Sequence, residues 1–420
     1  VERAMCAMLM LAEVAAAGAC AIDSAAGGGG AVGAAGAGLK VWAYVGFVGL
    51  VLGLLALDLG VFHREAHEVK FKEAAGWSVV WLTLGVVFSG AVWWGYERHW
   101  LGLGLETPRY NTHEMAGKTA EEPLIELGEV TGAEAAEQYL VGYVVEKSLA
   151  MDNIFVIALI FSFFAIPGKY QHRVLFWGII GALVMRGGMI LIGGELIMRY
   201  QWVLIVFGAF LVLTALKMAL IKGHDDPSQN IVVRLCKRFV PMVEFYDGQR
   251  FWTRRTVPPT YTLDTATGRM VQDPAPPGTL GRWAITPLFL ALVMVEITDL
   301  VFAVDSIPAI FAITPDPFIV FTSNVFAILG LRSLYFCLAA LIAKFRFLKP
   351  ALILILAFVG VKLLLLSVPP YLPVVGLEAR AGIKVDTTVS LVVVISLLVA
   401  ATVLSVVLPK REEVARDGGS

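Results

Sequence analysis

The stretch EKSLAMDNIFVIALIFSFF, residues 146–164, sets a glutamate, a lysine and an aspartate within seven positions at the head of an apolar run. A second stretch, VEITDLVFAVDSIPAIFAIT at 295–314, carries Glu296, Asp299 and Asp305 in similar company. Asn153 follows Asp152 in the first, Ser306 follows Asp305 in the second, and Asp58 stands near the end of another apolar run. All are oxygen donors, with no histidine or cysteine among them. Hard divalent cations such as Mg²⁺, Ca²⁺ and Mn²⁺ take such ligands, whereas zinc and copper sites usually recruit imidazole or thiolate. A charge at the centre of a bilayer costs at least a few kcal/mol, so ionisable groups there point to a site.

Helix geometry limits how these acids converge. Six residues at about 100° each leave Glu146 and Asp152 roughly 120° from a common face and about 9 Å apart along the axis, so one straight helix does not aim both at one ion. Pro308 lacks an N–H and frees the carbonyl of Val304, which predicts a local break lining the site. A similar irregularity is expected near Asp152 and Asn153.

The elements that carry the acids are membrane spans. Hydrophobic residues make up 58% of the 420 and charged residues 16%, with mean hydropathy +0.77, against about 25% charged in soluble domains. A span needs roughly 20 apolar helical residues, and nine runs qualify: 41–62, 77–96, 139–166, 174–198, 201–221, 283–313, 318–343, 350–368 and 387–408. Continuous apolar runs exclude a β-barrel, whose strands alternate. The expectation is an all-α polytopic membrane protein. The net charge of −1 gives no reason to expect nucleic acid, and the four cysteines lack CxxC spacing.

With the N-terminus outside, the inner connections hold 20 of the 33 Lys and Arg residues and the outer ones 8, which favours N-out and C-in. The outer connection 97–138 holds nine glutamates and reads as a solvated acidic loop that could also concentrate cations. Residues 222–282 form a long inner loop, and 409–420 an inner tail. Residues 1–40 read as a flexible Gly/Ala-rich segment, whose first 22 residues are divided between a signal peptide and a retained tail.

The acidic stretches repeat. EKSLAMDNIFVI set against DLVFAVDSIPAI aligns Glu146 with Asp299 and Asp152 with Asp305. Arg186 then answers Arg332 at an offset of 146 residues, and Lys217 answers Lys362 at 145. Each unit, 139–221 and 283–368, has three spans, so the second enters the membrane from the opposite side. Such inverted repeats place substrate at mid-depth between the copies. A purely structural reading stays open: Arg186, Lys217, Arg332, Lys362 and Lys147 nearly balance the five acids of the two copies and serve equally to lock helices together. Burying ion pairs is, however, a poor route to stability. Asn324, in a polar TSN step, divides evenly between a ligand and an interhelical hydrogen bond.

At LALDLGVF (55–62), EKSLAMDNIFV (146–156), VEITDLVFAVDSIPAIFAIT (295–314) and NVFAILGLRSLYF (324–336) the chain resembles the TerC family of integral membrane proteins. The resemblance runs from about residue 41 to about 408. It implies two inverted three-helix halves plus extra helices, export of Mn²⁺ as in several members, and the tellurite resistance that named the family. It also places Asp58, Glu146, Asp152, Glu296, Asp299 and Asp305 on the family's intramembrane acidic positions.

The reading that follows is a secondary transporter in a bacterial-type inner (cytoplasmic) membrane that exports divalent cations, Mn²⁺ first, with protons as counter-ions and no cofactor. Asp152 and Asp305 are expected as central ligands, flanked by Glu146, Asn153, Glu296, Asp299 and Asp58, with Ser306 and Asn324 as further candidates. Arg186, Lys217, Arg332 and Lys362 balance charge. The alternatives are a tellurite-resistance factor without transport of its own, or a scaffold for membrane insertion or metal delivery whose protein partner docks on the 222–282 loop. An enzyme is not expected, because no nucleophile–base pair or phosphate-binding loop is found.

Overall fold

The computed structural model describes residues 31–60, 71–110, 125–200, 202–220, 241–257, 261–264, 269–272, 280–339, 347–367, 385 and 387–407. Their frame is ten α-helices: α1 (Ala31–Gly60), α2 (Phe71–Glu97), α3 (Gly132–Phe163), α4 (Gly168–Arg199), α5 (Val203–Leu220), α6 (Pro287–Phe311), α7 (Pro317–Ile328), α8 (Leu331–Ala339), α9 (Leu348–Ser367) and α10 (Thr387–Val407). Among the described residues, eight segments are long and apolar enough to cross a membrane, with α7 and α8 together making one of them. The ninth expected span is α3, whose 32 residues exceed the needed length but carry Glu146, Lys147 and Asp152 along the way. The chain is thus an all-α polytopic membrane protein.

Two expectations about helix shape are corrected. Helix α6 runs unbroken through Pro308, and α3 runs unbroken through Asp152 and Asn153. In a bundle this crowded, neighbouring helices hold the proline turn in helical form, so a missing N–H need not become a break. The interruption falls between α7 and α8, where Leu329 is extended and Gly330 takes φ 77°. A left-handed residue is what a non-glycine side chain resists. Here a Cβ would also run into Trp81, so glycine serves both conformation and space. A third difference lies in the lead-in. Helix α1 covers Ala31–Gly60 and so includes ten residues ahead of the expected span. Residues 1–30, with the signal-peptide question, lie outside the described residues.

Helix starts are specified locally. Thr131 accepts from the Glu134 amide (3.3 Å) to cap α3, and Asp316 accepts from the Phe318 amide (2.9 Å) to cap α7 ahead of Pro317. Asp316 is itself buried and takes a hydrogen bond from the Tyr96 hydroxyl (2.5 Å), which ties α2 to this cap.

The two repeats pack by exchange. Helix α3 of the first lies along α7 of the second, while α6 of the second lies along α4 of the first; α3 also meets α6, and α5 meets α9. Small residues make these contacts close, as expected where lipid removes the hydrophobic drive and packing must supply it. A Cβ on Gly142 would press on Ser323 at 2.9 Å, and one on Gly208 would press on Leu364 at 2.9 Å.

Short β-structure caps the two ends. In the acidic connection, β1 (Thr107–Tyr110) pairs antiparallel with β2 (Ile125–Gly128), and the Tyr110 hydroxyl donates to the Phe311 carbonyl at the end of α6. At the opposite end, β3 (Trp252–Arg255) pairs with β6 (Leu280–Ile285), and β4 (Tyr261–Asp264) with β5 (Arg269–Gln272). This second loop folds back on the bundle: Tyr246 donates to the Phe164 carbonyl (2.5 Å), and the Arg173 guanidinium lies 5.1 Å from the Phe251 ring centroid.

Candidate functional site

Glu146 stands 14 residues into α3, Arg186 18 into α4 and Asp299 12 into α6, or roughly 21, 27 and 18 Å along their helices at 1.5 Å per residue. All three meet at mid-bundle. Arg186 holds Asp299 with both sides of its fork, Nη2 to Oδ1 at 2.9 Å and Nε to Oδ2 at 3.1 Å. Its Nη1 donates to Glu146 Oε1 and to the Ser306 hydroxyl at 3.3 Å. Asn153 donates from Nδ2 to Asp299 Oδ1 at 2.8 Å. Such planar bidentate pairing is what arginine, and not lysine, offers a carboxylate. The cluster is buried: Glu146 is 0% exposed, Asn153 2% and Arg186 3%.

Glu146 and Asp299 are the two positions that the repeat sets equivalent, so one guanidinium from the first copy joins the leading acid of both. Glu296 adds a third carboxyl group one turn before Asp299, on the same side of α6, where it lies directly against Gly181 of α4. Glu146 Oε2, Asn153 Oδ1 and Glu296 Oε2 are buried acceptors with no hydrogen-bond donor among the described residues. Buried acceptors are normally satisfied. Two carboxylates sharing one guanidinium, a third carboxyl group one turn from Asp299, and lone pairs to spare suit an added cation.

Lys147, which sequence reasoning placed among the charge-balancing bases and not among the ligands, has a role of its own in the structure. Its ammonium turns away from the acids and donates to the carbonyls of Ala327 (2.9 Å) and Leu329 (3.3 Å), at the carbonyl end of α7. The signal was a lysine next to a glutamate inside an apolar run, but a sequence does not show which neighbour such a residue serves.

The other predicted residues spread outward. Asp305, expected as a central ligand, is half-buried and accepts instead from Thr214 of α5 at 3.1 Å, with Lys217 within electrostatic reach. Its placement follows from the unbroken α6: Asp305 is six residues from Asp299 and so leaves that face. Lys362 is buried and donates to Ser390 of α10 at 2.8 Å. Arg332 is buried beside a cleft enclosing about 420 Å³, part of it open, that is also lined by Trp77, Trp81, His172, Gly330 and Phe336. Asn324 is 0% exposed, and neither side-chain polar atom has a partner among the described residues. The backbones of Asp58 and Asp152 are helical, and their side chains lie outside the described residues. Among the described residues no three His, Cys, Asp or Glu side chains form a ready metal cage, and Arg186 bridges Glu146 and Asp299.

A polytopic helical bundle with a buried, charged centre between two exchanged three-helix units is the architecture of an integral membrane protein built around a mid-depth polar site. Residues 131–413 match the integral membrane protein TerC family. The chain belongs to that family. It is 42% identical over 344 residues to an uncharacterized membrane protein, STKORF319, of Myxococcus xanthus, covering 82% of this chain and 89% of that one. It is 38% identical over 346 residues to a protein of Escherichia coli K12 named "Putative membrane-bound redox modulator Alx", covering 81% and 91%. A membrane protein of Rickettsia felis is 33% identical over 365 residues, covering 86% and 96%. No solved structure matches.

Proposed function

We propose that this protein is a secondary transporter that exports divalent cations, Mn²⁺ foremost, from the cytoplasm across a bacterial-type inner membrane, in exchange for protons. The observation that carries the reading is the Glu146–Arg186–Asp299 cluster, in which two carboxylates share one guanidinium with Glu296 one turn away, and Glu146 Oε2, Asn153 Oδ1 and Glu296 Oε2 are buried with no donor among the described residues. In this reading Arg186 neutralises the acids while the site is empty of substrate. A divalent cation then competes for Glu146 and Asp299, with Asn153 and Ser306 as neutral oxygen ligands. Protonation of the carboxyl groups releases the cation, since acids that bind metal must give up protons to do so. In this reading Glu146 and Asp299 take the central place, where Asp152 and Asp305 were expected.

The test is Mn²⁺ flux into sealed vesicles holding the purified protein, driven by a pH gradient. Native protein is expected to carry Mn²⁺, and Glu146→Gln and Asp299→Asn to lose at least about tenfold of that flux while eluting as folded protein. Absence of flux in the native protein at every pH would remove the transport reading. A scaffold, or the redox role for which the Escherichia coli relative is named, would then take its place.

A further inference from the structure

Helix α7 ends in mid-bundle, and its end is an unusual place for a side-chain ammonium. The last carbonyls of any helix lack N–H partners and carry the negative pole of its dipole. In water they are solvated, but this end is sealed: Ala327, Ile328 and Leu329 are 0%, 3% and 1% exposed. The chain turns away through extended Leu329 and left-handed Gly330, so no further helical amide reaches back to Ala327. Lys147, 5% exposed, supplies the missing positive charge with contacts of 2.9 and 3.3 Å.

Carbonyl ends of interrupted membrane helices are the donors from which membrane proteins build alkali-cation sites. We infer that the Ala327 and Leu329 carbonyls form a monovalent-cation position, and that the Lys147 ammonium fills it as a tethered cation. The ammonium is a compact point charge with three donors on a flexible stem, so it can take the place of a Na⁺ or K⁺ ion where a broad planar guanidinium cannot. Its consequence for the native protein is independence from alkali cations, because the position is always occupied. Nothing in this inference depends on which ion the acid cluster carries.

The experiment removes the tether. Native protein, Lys147→Ala and Lys147→Gln are purified in detergent and melted in choline chloride, NaCl and KCl at equal ionic strength. The native Tm is expected to be the same in all three salts. Lys147→Ala is expected to melt lower in choline and to recover in NaCl or KCl, with a saturable rise on the order of 2–4 °C as the ion fills the vacated carbonyls. Lys147→Gln retains an N–H donor for a carbonyl and is expected to fold in choline, with a smaller rise. Equal melting of both variants in all salts, or failure of Lys147→Ala to fold in any salt while Lys147→Gln shows no ion dependence, overturns the inference. A Mn²⁺ flux defect bears on the acid cluster and leaves these melting curves unaffected, so the two readings fail separately.

Discussion

Helix α4 and the α7–α8 pair hold matching places in the two repeats, and they meet the opposite repeat in different ways. Helix α4 runs unbroken for 32 residues and reaches across with a side chain, Arg186, that grips Asp299 of α6 while also pairing with Glu146 of α3 in its own repeat. Its counterpart stops at Ile328, restarts at Leu331, and offers backbone carbonyls to Lys147 of α3. In one repeat the protein supplies a cation to buried acids; in the other it supplies a cation to a buried helix end. An inverted pair of units thus carries an unequal polar centre, and α3, with adjacent Glu146 and Lys147, takes part in both halves. The inequality means that the two arms can be loosened independently.

The strongest way to break this comparison is at Arg186. Replacing it with methionine leaves Glu146 and Asp299 buried without a counter-charge, and removing one partner of such a network costs about 3–5 kcal/mol. That is a large share of the stability of an ordinary domain. Loss of monodisperse protein on size exclusion is the expected result. Adding Glu146→Gln and Asp299→Asn to Arg186→Met should recover a folded species, since all three charges are then gone together. A single Arg186→Met variant that melts like the native protein would show that the cluster does not hold α3, α4 and α6 together.

Glycines on the two arms sharpen the contrast. Gly330→Ala puts a side chain at φ 77°, a cost of about 1–2 kcal/mol, and drives it into Trp81 for about 1–3 kcal/mol more. The collision involves Trp81 Cβ, so shortening the indole to Phe should relieve little. Gly181→Ala on α4 collides with the far end of a flexible side chain, the Glu296 carboxylate. Its penalty of about 1–3 kcal/mol should largely disappear in Gly181→Ala with Glu296→Ala, an interaction that a double-mutant cycle on Tm reads directly. Equal rescue on both arms would mean that the break at Gly330 is a packing feature and not a backbone one.

Much of this frame is legible in the sequence, and the reasons differ by feature. Length and apolarity alone locate the spans, because a bilayer demands both. The offset between Arg186 and Arg332 exposes the repeat that contact exchange between α3, α7, α6 and α4 bears out. What fails is the aim of individual side chains. Asp305 looks central because it matches Asp152 in the repeat, yet it turns to Thr214 once α6 stays straight. Pro308 looks like the break and Gly330 is, since a bundle can absorb a missing amide while a left-handed residue must redirect the chain. Lys147 needed three dimensions, as its partners are carbonyls 180 and 182 residues away, and every residue has a carbonyl.

The smallest effect tests whether Asp305 belongs with the central acids at all. Thr214→Val removes the hydroxyl that donates to Asp305 at 3.1 Å and keeps the shape of the side chain. Asp305 is half-buried, so water can take over part of that bond, and a loss of about 1 kcal/mol is the upper expectation. The Tm shift should be small, and Mn²⁺ flux should fall much less than with Asp299→Asn. If Thr214→Val instead abolishes flux as fully as Asp299→Asn, the α5–α6 contact lies on the ion's route. The working site then extends from Arg186 outward to Lys217, with Asp305 as a second station along it.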